Sequence, residues 1–258
     1  MAAVTAAGAT SGVYDSIARA AGIAPDPGTT YLDAEHIVIL MQENRSFEHM
    51  FGTLRGVRGF NDPRAFRQPN GNPVWLQTDT TGETYAPWHM DINETKITWM
   101  GSLPHPRNSQ VDAWNLWLYN DWIHAKRSSN SAYSAMPLTM GHYSRSDVPF
   151  YFALADAFTV CDHNFCSAMS CTDPNRLVFM TGTLRSQQTD TAKANLRNED
   201  IATGGASWSM FSELLEDAGV TWKNYQNDVN YGNGLSTAEN VWLGNGTATF
   251  EKFGQYHI

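Results

Sequence analysis

Glu43 and Asn44 stand two residues past a run of five apolar side chains, Ile37–Met41, in the stretch HIVILMQENRSFEHMFG that spans residues 36–52. A carboxylate and an amide at the start of a helix make an oxygen-rich corner. Helix N-termini favour anions while such oxygens are hard ligands, so the corner suits a hard cation together with a phosphoryl oxygen. A plainer reading is also open, in which Asn44 caps the following helix and Glu43 pairs with Arg45 or another surface cation. Thr172, in SCTDPNRLVFMTG, has the same two faces. As the N-cap before Asp173 and Pro174 it is ordinary capping chemistry. Held at the positive end of a helix and coordinated to a metal, its hydroxyl would become a nucleophile. Ser167 and Ser170 share the loop, but neither directly precedes the helix.

The elements that must position these groups alternate. Ile37–Met41 has the continuous apolar, β-branched character of a strand covered on both faces. NRSFEHMFG then reads as two helical turns closed by Gly52. Residues 53–148 are dense in Gly, Pro, Asn and Trp and read as a cap-like insertion on the substrate side, with one moderately helical patch, VDAWNLWLYNDWIHAK. VPFYFALADAF predicts a helix with Pro149 in its first turn, FTVCD a short buried strand, and TDPNRLVFMTG a helix ended by Gly182. SWSMFSELLEDAGVTWKNYQ predicts a helix, a Gly219 terminator and a strand from Val220 to Tyr225. This order means α/β with a largely parallel sheet sandwiched by helices. In such sheets ligands bind beyond the carboxyl ends of the strands, where Glu43 lies.

Composition narrows the partners. With 258 residues, 42% of them hydrophobic, the chain can bury a substantial core. Its formal net charge of −9 and the lack of any Lys/Arg run argue against nucleic acid as a partner. No apolar run approaches the ~20 residues of a membrane-spanning helix. Residues 1–33 are rich in Ala and Gly, and their first positive charge is Arg19. They read either as a loose N-terminal arm or as the remnant of an export signal. Cys161, Cys166 and Cys171 are odd in number, which excludes a complete disulfide framework and favours buried structural thiols, with room for one disulfide, over a zinc site.

The blocks EHIVILMQENRSFEHMFGTLRGVRGFNDP, FALADAFTVCD and SCTDPNRLVFMTGT resemble the bacterial phosphocholine-specific phospholipase C and acid phosphatase family of phosphoesterases, whose fold is that of the alkaline phosphatase superfamily. The resemblance runs from about Ala34 to Gln226. It implies that Glu43 and Asn44 hold a catalytic divalent metal ion (Ca²⁺, Mg²⁺, Mn²⁺ or Zn²⁺) and a phosphate oxygen. It implies that Thr172 is a metal-bound nucleophile forming a covalent phosphothreonine, and that His105 in SLPHPRN contacts the phosphate or the leaving oxygen. Pro106 and Arg107 follow His105 where the family has an aromatic residue; Glu48, Met50 and Phe165 are further departures.

The implied substrate is a phospholipid or a soluble phosphate ester, reached outside the cytoplasm with transient contact to a membrane surface. GVRGFNDP and the tryptophan-rich segment from Trp75 to Trp122 resemble the phospholipase branch, and such aromatics suit choline recognition through cation–π contacts. An acid phosphatase and an inactive headgroup-binding fragment are the alternatives. The family's later acidic dyad has no counterpart after Asp228, so residues 34–258 are expected to be the N-terminal part of a catalytic domain that is incomplete at the C-terminus.

Overall fold

The computed structural model describes residues 2–42, 45–94, 103–185, 187, 189, 191–201 and 209–223. They form a mixed α/β structure in two compact units, one of Met1–Pro104 with Ala113–Asn164, the other of His105–Asp112 with Phe165–Ile258. Among the described residues no helix is long and apolar enough to cross a membrane.

In the first unit, α1 (Ala2–Ala21) packs on α5 (Pro149–Ala157), which starts at Pro149 because the proline lacks the N–H that a first turn leaves unpaired. Ser46 caps α2 (Phe47–Phe51), its Oγ accepting the His49 N–H at 3.2 Å, so the cap is Ser46 and not Asn44. Gly52 does follow α2, yet its φ of −56° is right-handed. Glycine is required there by close approach: a Cβ would lie 2.4 Å from the Phe60 ring and 2.5 Å from the Glu48 carbonyl oxygen.

Two small sheets lie within residues 77–142. β1 (Gln77–Thr78) pairs antiparallel with β2 (Thr84–Tyr85) around Gly82, whose φ is +88°. β3 (Trp88–His89) pairs parallel with β4 (Gly141–His142), setting Trp88 opposite Gly141 and His89 opposite His142. The core of the unit is here: Met90, Leu138 and Tyr143, at 1%, 2% and 6% exposure, with Met50, Trp88 and Val148 against them. The helical patch of the insertion breaks into the end of α3 (Arg107–Trp114) and α4 (Trp122–Ala125), with four non-glycine residues at positive φ in between: Asn115, Leu116, Trp117 and Tyr119.

In the second unit, α6 (Thr172–Thr181) ends at Gly182, left-handed at φ +75°, and packs against α7 (Asn198–Ile201) and α8 (Phe211–Asp217). Gly219, at φ +70°, follows α8 as a terminator whose N–H returns to the Glu216 carbonyl at 2.9 Å.

The extensive parallel sheet expected from sequence does not appear among the described residues. Ile37–Met41, FTVCD (158–162) and Val220–Lys223 belong to no strand, and residues 224 and 225 lie outside the described set. Parallel strands hold only when neighbours take up their backbone groups, and these segments meet no such ladder. Ile37, Val38 and Leu40 are in consequence 81%, 89% and 80% exposed.

Candidate active site

Thr172 is the first residue of α6, one place inside the expected cap; the cap position belongs to Cys171, which makes no side-chain capping bond. The SCTDPNR block folds this way for local reasons. Pro174, buried in the first turn, needs no N–H partner, and Asp173 sits at the positive end of the helix dipole. Asn175 ties the preceding loop to the helix: its Oδ1 accepts the Ala168 N–H at 3.1 Å, and its Nδ2 donates to the Ala168 and Cys171 carbonyls at 3.2 and 3.0 Å. Asn198 Oδ1 accepts the Asp173 N–H at 3.1 Å, and the Ser170 hydroxyl donates to the Leu196 carbonyl.

The half-buried Thr172 hydroxyl makes no hydrogen bond among the described residues. Of the three loop hydroxyls, Ser170 is engaged and 9% exposed, Ser167 lies exposed in the loop, and Thr172 stands on the first residue of α6.

His105 lies in the same unit as Thr172 and is half-buried, its carbonyl accepting from Gln110 Nε2 at 3.2 Å. No hydrogen bond joins it to Thr172 among the described residues. Glu43 and Asn44 lie outside the described residues; their flanks do not. Gln42 Nε2 donates to the Tyr151 hydroxyl at 2.8 Å. Arg45 donates to His49 Nε2 at 3.2 Å and stacks over Tyr143, 5.9 Å from its ring centre. The Tyr143 N–H donates to the His49 carbonyl, and His49 Nδ1 donates to the Gly141 carbonyl, both at 2.8 Å. α2 is thereby fastened to β4. Because the Gly141 carbonyl can only accept, His49 Nδ1 carries the hydrogen and Nε2 offers its lone pair to Arg45. Burial, and the Arg45 charge, push the His49 pKa below its usual value, against the Gly141 bond.

The expected metal would draw on Glu43, Asn44 and Thr172. Carboxylate, amide and hydroxyl oxygens form a hard donor set, and of these three residues the structure describes Thr172, whose hydroxyl has no hydrogen-bond partner among the described residues. Among the described residues no group of three or more His, Cys, Asp or Glu side chains is disposed to hold a metal. The cysteines are free thiols; Cys161 and Cys166 are exposed and Cys171 is half-buried, so the expectation of buried structural thiols is not met. The segment FTVCD forms no strand, and Cys161 in it is exposed.

A second polar cluster escaped the sequence reading. Asp147, its side chain fully buried, accepts on Oδ2 from His89 Nε2 at 2.7 Å, from the Ser144 N–H at 2.7 Å and from the Ser144 hydroxyl at 2.6 Å, and on Oδ1 from the Ile92 N–H at 3.3 Å. Burial alone would raise this carboxyl; the Ser144 hydroxyl, His89 and the two amides outweigh it and hold the pKa far below the carboxylate range. His142 faces His89 at a ring separation of 6.2 Å, and its buried Nδ1 has no partner among the described residues. Burial first, then the His89 and His49 charges, lower its pKa. The cluster is not a nucleophile relay. Ser144 Oγ, 3.2 Å from His89 Nε2, addresses the same ring nitrogen as Asp147, whereas a relay needs the acid and the nucleophile on opposite nitrogens. No spacing announces it, because β3 and β4 are about fifty residues apart.

Comparison with known proteins matches residues 34–257 to the model of the Phosphoesterase family. The chain is 42% identical over 235 residues to a non-hemolytic phospholipase C of Burkholderia pseudomallei, covering 88% of this chain and 31% of that protein. It is 38% identical over 231 residues to a hemolytic phospholipase C of Pseudomonas aeruginosa, 87% and 30% of the two chains. Against phospholipase C B of Mycobacterium tuberculosis the identity is 39% over 235 residues, 87% and 45%. The chain thus spans less than half the length of these curated relatives.

Proposed function

Because the chain belongs to the Phosphoesterase family, we propose that it is the part of a phospholipase C-type phosphodiester hydrolase that carries the nucleophile, and that it acts on choline phospholipids. The observation that carries this is Thr172: a hydroxyl with no hydrogen bond among the described residues, on the first residue of a ten-residue helix, with Asn175 clamping the loop that leads to it. The relatives reported above are named phospholipases C, which supports a phospholipid substrate.

The Thr172 Oγ gives up its proton and attacks phosphorus, the phosphorus–oxygen bond to diacylglycerol breaks, and the glycerol oxygen takes that proton and leaves as the free alcohol. Thr172 then holds a phosphocholine ester, which water hydrolyses to phosphocholine and free threonine. The N-terminus of α6 favours the negative charge that grows on the phosphoryl oxygens. His105 contacts the phosphate or the leaving oxygen. A divalent cation held by Glu43, Asn44 and Thr172 would supply charge neutralisation and a lowered hydroxyl pKa. On this reading the protein works outside the cytoplasm.

The test is turnover of p-nitrophenyl phosphorylcholine against p-nitrophenyl phosphate, with divalent cation, by the chain and by Thr172→Ala. The phosphocholine ester is expected to be preferred and its turnover lost in the variant. Preference for the monoester would make the protein a phosphatase. Equal turnover in both forms would remove Thr172 from the chemistry, and no turnover in either would favour a headgroup-binding role.

A further inference from the structure

Asp112 and Asp121 bracket eight residues, 113–120, none of them charged. Within this span Asn115, Leu116, Trp117 and Tyr119 have φ values of 43°, 54°, 73° and 51°. That left-handed region is one in which bulky side chains crowd the backbone, so a run of them there is held, not relaxed.

What holds it is visible. The Tyr119 N–H donates to the Trp114 carbonyl and the Leu118 N–H to the Asn115 carbonyl, both at 3.0 Å. Asn115 Nδ2 donates to Asn120 Oδ1 at 2.8 Å across the base of the turn. Gln77, only 1% exposed, donates through Nε2 to the Tyr119 carbonyl at 2.8 Å and accepts the Trp122 N–H on Oε1 at 3.2 Å. The Trp117 ring stands edge-on to Trp114 at 5.1 Å. A clamped base and a strained backbone display Leu116 and Trp117 at 75% and 67% exposure.

We propose that this turn is an interfacial anchor that docks on a zwitterionic phospholipid surface, with Leu116 entering the acyl boundary and Trp117 and Tyr119 lying at the headgroups. Aromatic residues with one polar edge suit that depth, and leucine suits the layer beneath it. Charge selects the lipid. The tip is uncharged and flanked by two carboxylates on a chain of net charge −9, so an anionic bilayer would repel it, whereas a surface without net charge does not. The proposal rests on the phospholipid reading of the active site and adds to it how the protein reaches an insoluble substrate.

The experiment is co-sedimentation of the chain with phosphatidylcholine vesicles in the presence of chelator, comparing wild type with Leu116→Ser/Trp117→Ser. Wild type should bind, the double variant should lose about tenfold or more in partitioning, and added phosphatidylglycerol should not strengthen binding. With brominated phosphatidylcholine, Trp117→Phe should stay bound yet lose part of the tryptophan quenching, a readout that does not depend on the double variant folding well. Wild type that fails to sediment, a double variant that binds equally through some other apolar segment such as 37–41, binding that requires anionic lipid, or quenching unchanged in Trp117→Phe would each overturn the anchor. Wild-type turnover of soluble p-nitrophenyl phosphorylcholine reports separately on the hydrolytic reading; its absence removes that reading and leaves the vesicle results to decide the anchor.

Discussion

Replacing Asp147 by asparagine keeps the shape of the side chain and removes its charge, which isolates what the carboxylate does for the first unit. Three short hydrogen bonds converge on Oδ2, from His89 Nε2 at 2.7 Å, the Ser144 N–H at 2.7 Å and the Ser144 hydroxyl at 2.6 Å. Bonds to a charged acceptor are worth roughly 1.5–3 kcal/mol and neutral ones about 1. An amide oxygen in the same place therefore gives up about 0.5–1.5 kcal/mol on each. The new NH2 would face the Ile92 N–H, now 3.3 Å from Oδ1, donor against donor. The sum is about 2–4 kcal/mol, which for a domain of this size lowers the melting midpoint by roughly 5–15 °C. Circular dichroism melts at neutral pH measure it. Asp156→Asn is the control, because the Arg145–Asp156 pair is about half exposed on both sides and should matter little. If the two variants melt together, the convergence on Asp147 stabilises nothing.

The same region gives two more predictions. A Cβ at Gly141 would lie 2.4 Å from Met90 Sδ and 2.8 Å from its Cγ, in the tightest part of the core. Gly141→Ala should cost about 1–3 kcal/mol by overpacking, and Met90→Ala in the same chain should cost less than the two separate losses added together; additive losses would mean that the contact is not the cause. Stability should also fall as the medium is acidified. The folded pKa values of His49 and His142 lie below their usual value, so the unfolded chain takes up protons first below about pH 6.5 and stability declines there. Asp147, depressed when folded, keeps its contribution above about pH 4 and loses it below. His142→Gln should flatten the plot of midpoint against pH between about 7.5 and 5.5, and an unchanged slope would contradict the assignment.

Local punctuation was legible because its physics is local. Pro149 opens α5, Gly182 closes α6 in the left-handed conformation, and Gly219 ends α8, each for a reason carried by one residue. Caps were harder to place: Ser46 and Cys171 occupy the positions read as Asn44 and Thr172, since any small polar residue near a helix start can serve. Motif likeness marked Thr172, and the fold put it on a helix start with a clamped loop, which composition could not show. The Asp147 cluster was invisible because the parallel register of β3 and β4 creates it. The turn at 115–119 was invisible for the opposite reason: no glycine marks its positive φ values, and hydrogen bonds from a distant glutamine impose them. Apolar runs such as Ile37–Met41 name a strand without naming its neighbours, which decide whether it is one.

The central claim is that the Thr172 oxygen carries the phosphoryl group. Acid-quenching the chain during reaction with p-nitrophenyl phosphorylcholine and divalent cation, then sequencing its peptides by mass spectrometry, reads that directly. The account predicts one phosphocholine ester on Thr172 and none in Thr172→Ala; an ester on Ser167, Ser170 or any other residue, or turnover with no ester at all, would contradict it.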